Sequence, residues 1–251
     1  MSTKKTFLIS LFLTLLFFFI DVSRKTGYFL GLEKRCLVAR VIDGDTVEVS
    51  NKEKIRLIGI NAPEIDDKFG KEAKELLSSL IEGRVVKVEE YGKDEYGRKL
   101  AFLFLEDRNI NVEMVKSGFA HIFKINKVPK HVEELRKAEE EAMGKQLGIW
   151  KKSNITCIKL LELKVVGEEK VVLKNECKFP IQIENWSLED ESHNRFKFPK
   201  YLFRPNETIE IYTRNKTTRF SFKKKFPIWD REGDTLFLRD SQGFLVLFYR
   251  Y

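Results

Sequence analysis

Short apolar runs broken by polar islands dominate the chain from residue 37 onward. Val38, Val41, Val47 and Val49 flank the polar turn Asp43-Gly44-Asp45-Thr46 and predict a strand on either side of it. Lys54–Ile60 predicts a third strand, and Arg84–Glu90 and Lys99–Leu105 predict two more around the polar loop 91–98. Three segments carry the helical period instead. Lys68–Ile81 places Phe69, Ala73, Leu76, Leu77, Leu80 and Ile81 on one face and stops at Gly83; Val112–Ser117 stops at Gly118; Lys130–Gln146 starts after Pro129 and stops before Gly148-Ile149-Trp150. The order β-β-β-α-β-β-α-α suits a small Greek-key barrel of the OB type. Beyond the linker Lys151–Asn154 the helical period disappears. Lys170–Lys174, Pro180–Leu188, Glu207–Thr213, Asp234–Asp240 and Gly243–Arg250 read as strands, with turn residues between them.

The expected fold is therefore α+β: a five-stranded OB-fold barrel with packed helices over 35–151, followed by an immunoglobulin-like all-β sandwich over 155–251. Ahead of both, Lys4-Lys5 precede Phe7–Ile20, apolar except for Ser10 and Thr14. Residues 1–27 read as a signal peptide or an N-terminal membrane anchor, since the run is short against the ~17–25 residues a spanning helix needs. An extracellular or cell-surface location is expected.

Charge refines this picture. The net charge is +8, but residues 28–151 carry 23 charges of each sign, whereas residues 152–251 carry 19 basic against 14 acidic. Long-range attraction of a polyanion thus belongs to the ends of the chain. Six basic residues between Arg214 and Lys225 interleave with Phe220 and Phe222. The run reads either as edge-strand protection by lysines or as a docking surface for nucleic acid or an anionic envelope. The three cysteines, Cys36, Cys157 and Cys177, cannot all pair internally. Cys157 and Cys177 read either as a bridge or as buried thiols. The sequons at Asn154, Asn185, Asn206 and Asn215 all lie after the barrel.

The polar islands of the first domain hold the candidate chemistry. Asp43 and Asp45 share a tight turn, and Asn61 and Glu64 follow the next strand on a loop stiffened by Pro63. Oxygen donors of this kind suit a hard divalent cation. Arg56, on an otherwise apolar strand, and Arg98, after Tyr96-Gly97, can each grip a phosphate through a planar guanidinium, or form a salt bridge at the barrel rim. Glu64 can orient or activate a water.

Asp43-Gly44-Asp45-Thr46, then Arg56-Leu57-Ile58-Gly59-Ile60-Asn61-Ala62-Pro63-Glu64, then Asp94-Glu95-Tyr96-Gly97-Arg98 resemble the staphylococcal nuclease (thermonuclease) family, as do Val115–Ala120 and Gly148-Ile149-Trp150. The resemblance implies Ca2+-dependent hydrolysis of phosphodiesters in DNA and RNA by an endonuclease. It makes Arg56, Glu64 and Arg98 catalytic, Asp45, Asn61 and the carbonyl of Ala62 metal ligands, and Tyr96 a substrate-phosphate contact. Asn61 stands where the best-known member has an aspartate, so the cation site is expected to be one charge short and weaker for Ca2+. Glu95 replaces a lysine on the phosphate side, and Phe119–Asn126 lacks the tyrosines on which a base stacks. His121 is expected to be packed or exposed rather than a general acid. Segments such as Ile183–Asp190, Leu202–Glu207 and Trp229–Leu238 are similar to the lamin tail domain, an immunoglobulin-like sandwich. The expected protein is a monomer acting on DNA or RNA. The alternative is a catalytically weak OB-fold nucleic-acid-binding or envelope adaptor, against which the presence of Arg56, Glu64 and Arg98 argues.

Overall fold

The computed structural model describes residues 34–124, 129–215 and 217–251. The expected signal or anchor segment lies outside them. Among the described residues, no helix is long and apolar enough to cross a membrane. Residues 35–251 form one compact unit.

The first five long strands close a barrel. β1 (Arg35–Val41), β2 (Thr46–Val49) and β3 (Lys54–Leu57) form an antiparallel meander. A two-residue β4 (Ile60–Asn61) follows. β5 (Val85–Lys93) pairs with β1, and β6 (Lys99–Leu105) pairs antiparallel with β5 and parallel with β3, which closes the ring. The interior is apolar: Val38, Val47, Leu57, Val86, Ala101, Phe102 and Leu103 are buried. Helix α1 (Gly70–Ile81) lays Ala73, Leu77 and Ile81 onto this core. β7 (Arg108–Asn109) leads into α2 (Ile110–Lys116), whose first turn is capped by the Asn109 side chain accepting from Val112 N. β8 (His121–Ile122) pairs with β4, and α3 (Val132–Gly144) follows.

The strand expected over Lys54–Ile60 is interrupted. The chain turns at Ile58-Gly59, with Gly59 at φ 81, and restarts as β4. Buried Asn111 holds this turn: its Nδ2 donates to Ile58 O and Ala101 O, and its Oδ1 accepts from Leu103 N. With both ends of the amide satisfied, a polar group in the core becomes a brace rather than a cost. The turn swings Asn61 and Glu64 toward the mouth of the barrel.

The second domain is all β. β9 (Ile158–Lys164), β10 (Lys170–Asn175) and β15 (Thr208–Tyr212) make one sheet in the order β15-β10-β9. β12 (Ser187–Glu189), β13 (Arg195–Lys197), β16 (Thr235–Arg239) and β17 (Leu245–Arg250) make a second, in the order β13-β12-β16-β17. β11 (Ile181–Gln182) and β14 (Leu202–Phe203) pair beside them, so the single strand expected over Pro180–Leu188 is two short ones. Val171, Leu173, Ile211, Trp186, Leu188, Phe203, Leu236 and Leu238 fill the space between the sheets. Cys157 and Cys177 form a disulfide that ties the start of β9 to the end of β10; Cys36 lies outside this bridge.

Phe220 is buried and packs on Phe196, Phe198 and Tyr201, while Phe222 packs on Phe196 and Trp229. Phe220 therefore belongs to the core, and Phe222 is partly buried against it.

The two domains share apolar packing. Ala142, Ile149 and Trp150 cluster with Phe237 and Leu245. Arg250 pairs with buried Glu139 of α3, and Arg195 grips Asp67 through two hydrogen bonds of 2.6 and 2.5 Å. Residues 151–153 continue this union, since Leu245 N donates to Lys151 O and Ser153 N donates to Leu245 O.

Candidate active site

Asp43, Asp45, Arg56, Asn61, Ala62, Glu64, Tyr96 and Arg98 all border one cleft of about 930 Å³. The turn before β2 reaches it because Gly44 has no side chain. A Cβ there would stand 2.6 Å from Ala62 Cβ and 2.7 Å from Ala73 Cβ, so the glycine is required by close approach rather than by an unusual φ. Asp43 Oδ1 accepts from Asp45 N at 3.0 Å, which fixes the turn. Burial raises the Asp43 carboxyl above the usual range, and the neighbouring Asp45 carboxylate adds to the rise.

Arg56 is nearly buried, and both of its terminal nitrogens are engaged. Nη1 donates to Leu57 O at 2.6 Å and Ile60 O at 2.9 Å, and Nη2 donates to Asn61 Oδ1 at 2.6 Å and pairs with Asp45 Oδ2 at 3.0 Å. Asp45 Oδ2 also accepts from Ala62 N at 2.8 Å, and its Oδ1 accepts from Thr46 Oγ1 at 3.1 Å. The arginine thus clamps the β3–β4 turn and holds together the two side chains expected to ligate a cation.

Arg98 is more open. Its Nε donates to Asp94 Oδ2 at 2.7 Å, and its guanidinium lies 5.5 Å from the ring centre of Tyr96, which is 77% exposed. Burial works to raise the Asp94 carboxyl, but Arg98 and the N–H groups of Arg98 and Tyr96 outweigh it and hold the group below its ordinary value. Glu64 is exposed. Its backbone carbonyl accepts from Asp67 N at 2.8 Å, and Gly70, where a Cβ would fall 1.9 Å from Glu64 O, lets α1 start directly against it. The Glu64 loop is therefore seated on the helix that packs on the barrel.

Residues 54–152 match the family described as Staphylococcal nuclease homologue, and residues 151–251 match the Lamin Tail Domain. An uncharacterized endonuclease of Haemophilus influenzae is 37% identical over 123 residues, covering 47% of this chain and 67% of the relative. The thermonuclease of Staphylococcus intermedius is 35% identical over 127 residues, covering 46% of this chain and 76% of the relative. The chain belongs to the staphylococcal nuclease family. Protein ParB of Escherichia coli, 35% identical over 130 residues and covered over 73% of its length, is similar to the same part of the chain. The nuclease domain here is followed by a lamin tail domain, in the order the sequence predicts.

The nuclease domain's oxygen donors suit a hard cation. Among the described residues no three His, Cys, Asp or Glu side chains converge as a cage. The set offered is instead one carboxylate (Asp45), one amide oxygen (Asn61) and one carbonyl (Ala62), with Asp43 at the same cleft. Arg56 grips the two side-chain oxygens that would take the cation, so the clamp and the cation are alternatives at that point.

Sequence reasoning missed part of the cleft. Ser192, His193 and Asn194 of the lamin tail domain line it, together with Lys93, Phe123 and Lys124. Asn61 Nδ2 donates to Glu191 O at 2.9 Å, a contact across 130 positions. His193 Nδ1 is buried without a hydrogen-bond partner, and burial lowers its pKa against the opposing charges of Glu189 and Glu64. The one signal available in the sequence was Asn61 itself, since an amide can donate where an aspartate cannot. His121 is buried against Phe237, with Nδ1 2.9 Å from Ile122 O, and burial, then His193, holds its pKa well below the ordinary value. It is a packed, neutral histidine.

Proposed function

We propose that the protein is a metal-dependent nuclease that hydrolyses phosphodiester bonds in DNA or RNA. The observation that carries this reading is the convergence of Asp45, Arg56, Asn61, Glu64 and Arg98 on one cleft in a staphylococcal nuclease domain. Relatives described as thermonuclease and endonuclease support it.

In this reading the exposed Glu64 carboxylate takes a proton from the attacking water. The water oxygen bonds to phosphorus while the bond from phosphorus to the leaving ester oxygen breaks, and that oxygen departs with the bonding pair and takes a proton from solvent. Arg98 donates to the non-bridging oxygens, where charge builds in the transition state, and Tyr96 flanks the phosphate. Without the cation Arg56 holds Asp45 and Asn61 in place; once a cation takes those oxygens, the arginine's Nη2 is freed to donate to the phosphate. Asp45, Asn61 and the Ala62 carbonyl would hold Ca2+, which would supply charge neutralisation at the phosphate. Release of acid-soluble nucleotides from DNA and from RNA, with Ca2+ or with EDTA, tests the proposal. Cleavage confined to Ca2+ supports it, and cleavage indifferent to EDTA contradicts the metal dependence.

We also propose export, with residues 1–27 as signal or anchor. The Cys157–Cys177 disulfide supports an oxidising compartment.

A further inference from the structure

The nuclease domain's side of the cleft has no surplus of positive charge. Asp43, Asp45, Glu64, Asp94 and Glu95 face Arg56, Lys93, Arg98 and Lys124, five acids against four bases. Two of those bases are already paired, Arg56 with Asp45 and Arg98 with Asp94. A polyanion longer than the reacting phosphate therefore needs cations from elsewhere.

The lamin tail domain brings one, Lys224, against the cleft wall, with Lys223 and Lys225 beside it in sequence. Its loop from Asp190 to Asn194 enters the cleft as a braced structure. Asp190 Oδ1 accepts from Ser192 N at 2.9 Å and Asn194 N at 2.7 Å, its Oδ2 accepts from Asn194 Nδ2 at 2.6 Å, and Asp234 Oδ1 accepts from Glu191 N at 3.2 Å. The same loop is tied to the nuclease domain by Asn61 Nδ2 on Glu191 O and, one residue beyond Asn194, by Arg195 on Asp67. The remaining acceptor of Asn194, Oδ1, takes a hydrogen bond of 2.8 Å from Lys224 Nζ. The basic run is thus joined to the cleft wall through one side chain.

Within that run the cations are not equivalent. Arg214 is committed to Gly167 O, and Arg219 to Lys200 O and the face of Tyr201. Lys223 and Lys225 flank Lys224, are exposed, and carry no ion pair among the described residues. Phe226 follows at 75% exposure. Clustered lysines beside an exposed aromatic ring are what a single strand uses, phosphates on the ammonium groups and an unstacked base on the ring.

We propose that the lamin tail domain completes the nuclease's substrate site. The Ser192–Asn194 edge walls the cleft, and Lys223, Lys224, Lys225 and Phe226 take the single strand where it runs beyond the reacting phosphate. This rests on the nuclease reading above and adds to it a binding subsite on the other domain.

Two measurements on the full chain test it. Binding is read by fluorescence anisotropy on an end-labelled single-stranded oligonucleotide, in Glu64→Gln protein so that the strand stays whole. Changing Lys223, Lys224 and Lys225 together to Gln is expected to weaken binding about ten-fold or more and to flatten the slope of log K against log salt by about 2, at ~0.7 per phosphate contact on a single strand. The double variant Lys223→Gln/Lys225→Gln leaves the Lys224–Asn194 bond in place and should still flatten the slope by about 1.4. In the cleaving protein the triple variant should raise KM for the same strand while kcat stays within about two-fold, a split expected when uniform binding is lost. Unchanged slope and KM in a protein that hydrolyses the strand overturn the subsite and leave the nuclease reading standing. A steep, lysine-dependent slope in wild-type protein that hydrolyses nothing supports the subsite and contradicts the nuclease reading. Lysine-dependent binding to anionic phospholipid vesicles, with oligonucleotide binding unmoved, overturns the subsite in favour of an envelope surface.

Discussion

At the residue scale, Arg56 and Asn61 decide how the site behaves without the proposed cation. Arg56 lies buried against Asp45, so Arg56→Ala would leave a carboxylate nearly out of water with no counter-charge. A loss of about 3–5 kcal/mol is expected in EDTA, with part of it recovered in Ca2+ because the cation takes the same oxygens. Denaturant titrations with and without Ca2+ check this; equal stability of wild type and variant in EDTA would refute the clamp. Asn61→Asp adds the missing charge, and stronger Ca2+ binding by calorimetry is the expected result. The same change removes the donor to Glu191 O, so the gain comes with a weaker hold on the lamin tail loop. The sequence made the neutral residue at 61 visible, but not its reason. A hydrogen bond to a backbone carbonyl 130 residues away leaves no mark in composition or spacing. Gly44 is similar: a turn glycine was legible, whereas the crowding by Ala62 and Ala73 that requires it was not.

At the element scale, periodicity was informative wherever an element had one buried face. Helix α1 was readable from Ala73, Leu77 and Ile81, and the barrel strands from their valines. The two-residue strands β4 and β8 are too short to show any period. They pair just after the Ile58-Gly59 turn, which Asn111 braces and to which Phe123 N donates at Gly59 O. The alternation of Phe220 and Phe222 was visible too, and their spacing of two puts both on one face, which the structure shows to be the core. One junction carries a pH prediction. Glu89 on β5 accepts from Lys130 Nζ and Tyr91 OH, each at 2.6 Å, and lies 3.2 Å from His131 Nε2. Burial opposes ionisation, but these partners outweigh it and lower the carboxyl from 4.5 to about 2. A depressed carboxyl stabilises the fold above its unfolded pKa, and that contribution fades as pH falls from 4.5 through about 2. Glu89→Gln should cost about 1 kcal/mol at neutral pH, the range of a solvent-screened pair, and should flatten the acid limb in that window. An unchanged acid limb would refute it.

At the scale of the whole molecule, the nuclease and lamin tail domains each have their own core and are joined by a third, smaller apolar cluster. Phe237 of the second domain lies 4.9 Å from His121 and 6.0 Å from Trp150 of the first, ring centre to ring centre. Phe237→Ala should cost about 3–5 kcal/mol and separate a single unfolding transition into two, read by tryptophan fluorescence against circular dichroism. One coincident transition at unchanged stability would show that the junction contributes little. The sequence showed two domains and a linker; it did not show that the linker is bonded to β17 on both sides or that a loop of the second domain walls the site of the first. Each of those contacts joins segments whose local patterns are complete without the other.

The central claim is that this shared cleft hydrolyses phosphodiesters with Glu64 as the base. The most direct measurement is the single-turnover rate on an end-labelled single strand in Ca2+, for the wild-type protein and for Glu64→Gln, with binding measured alongside. A fall of about 100-fold or more in rate, at unchanged affinity for the strand, is the predicted result. Equal rates in the two proteins would contradict it.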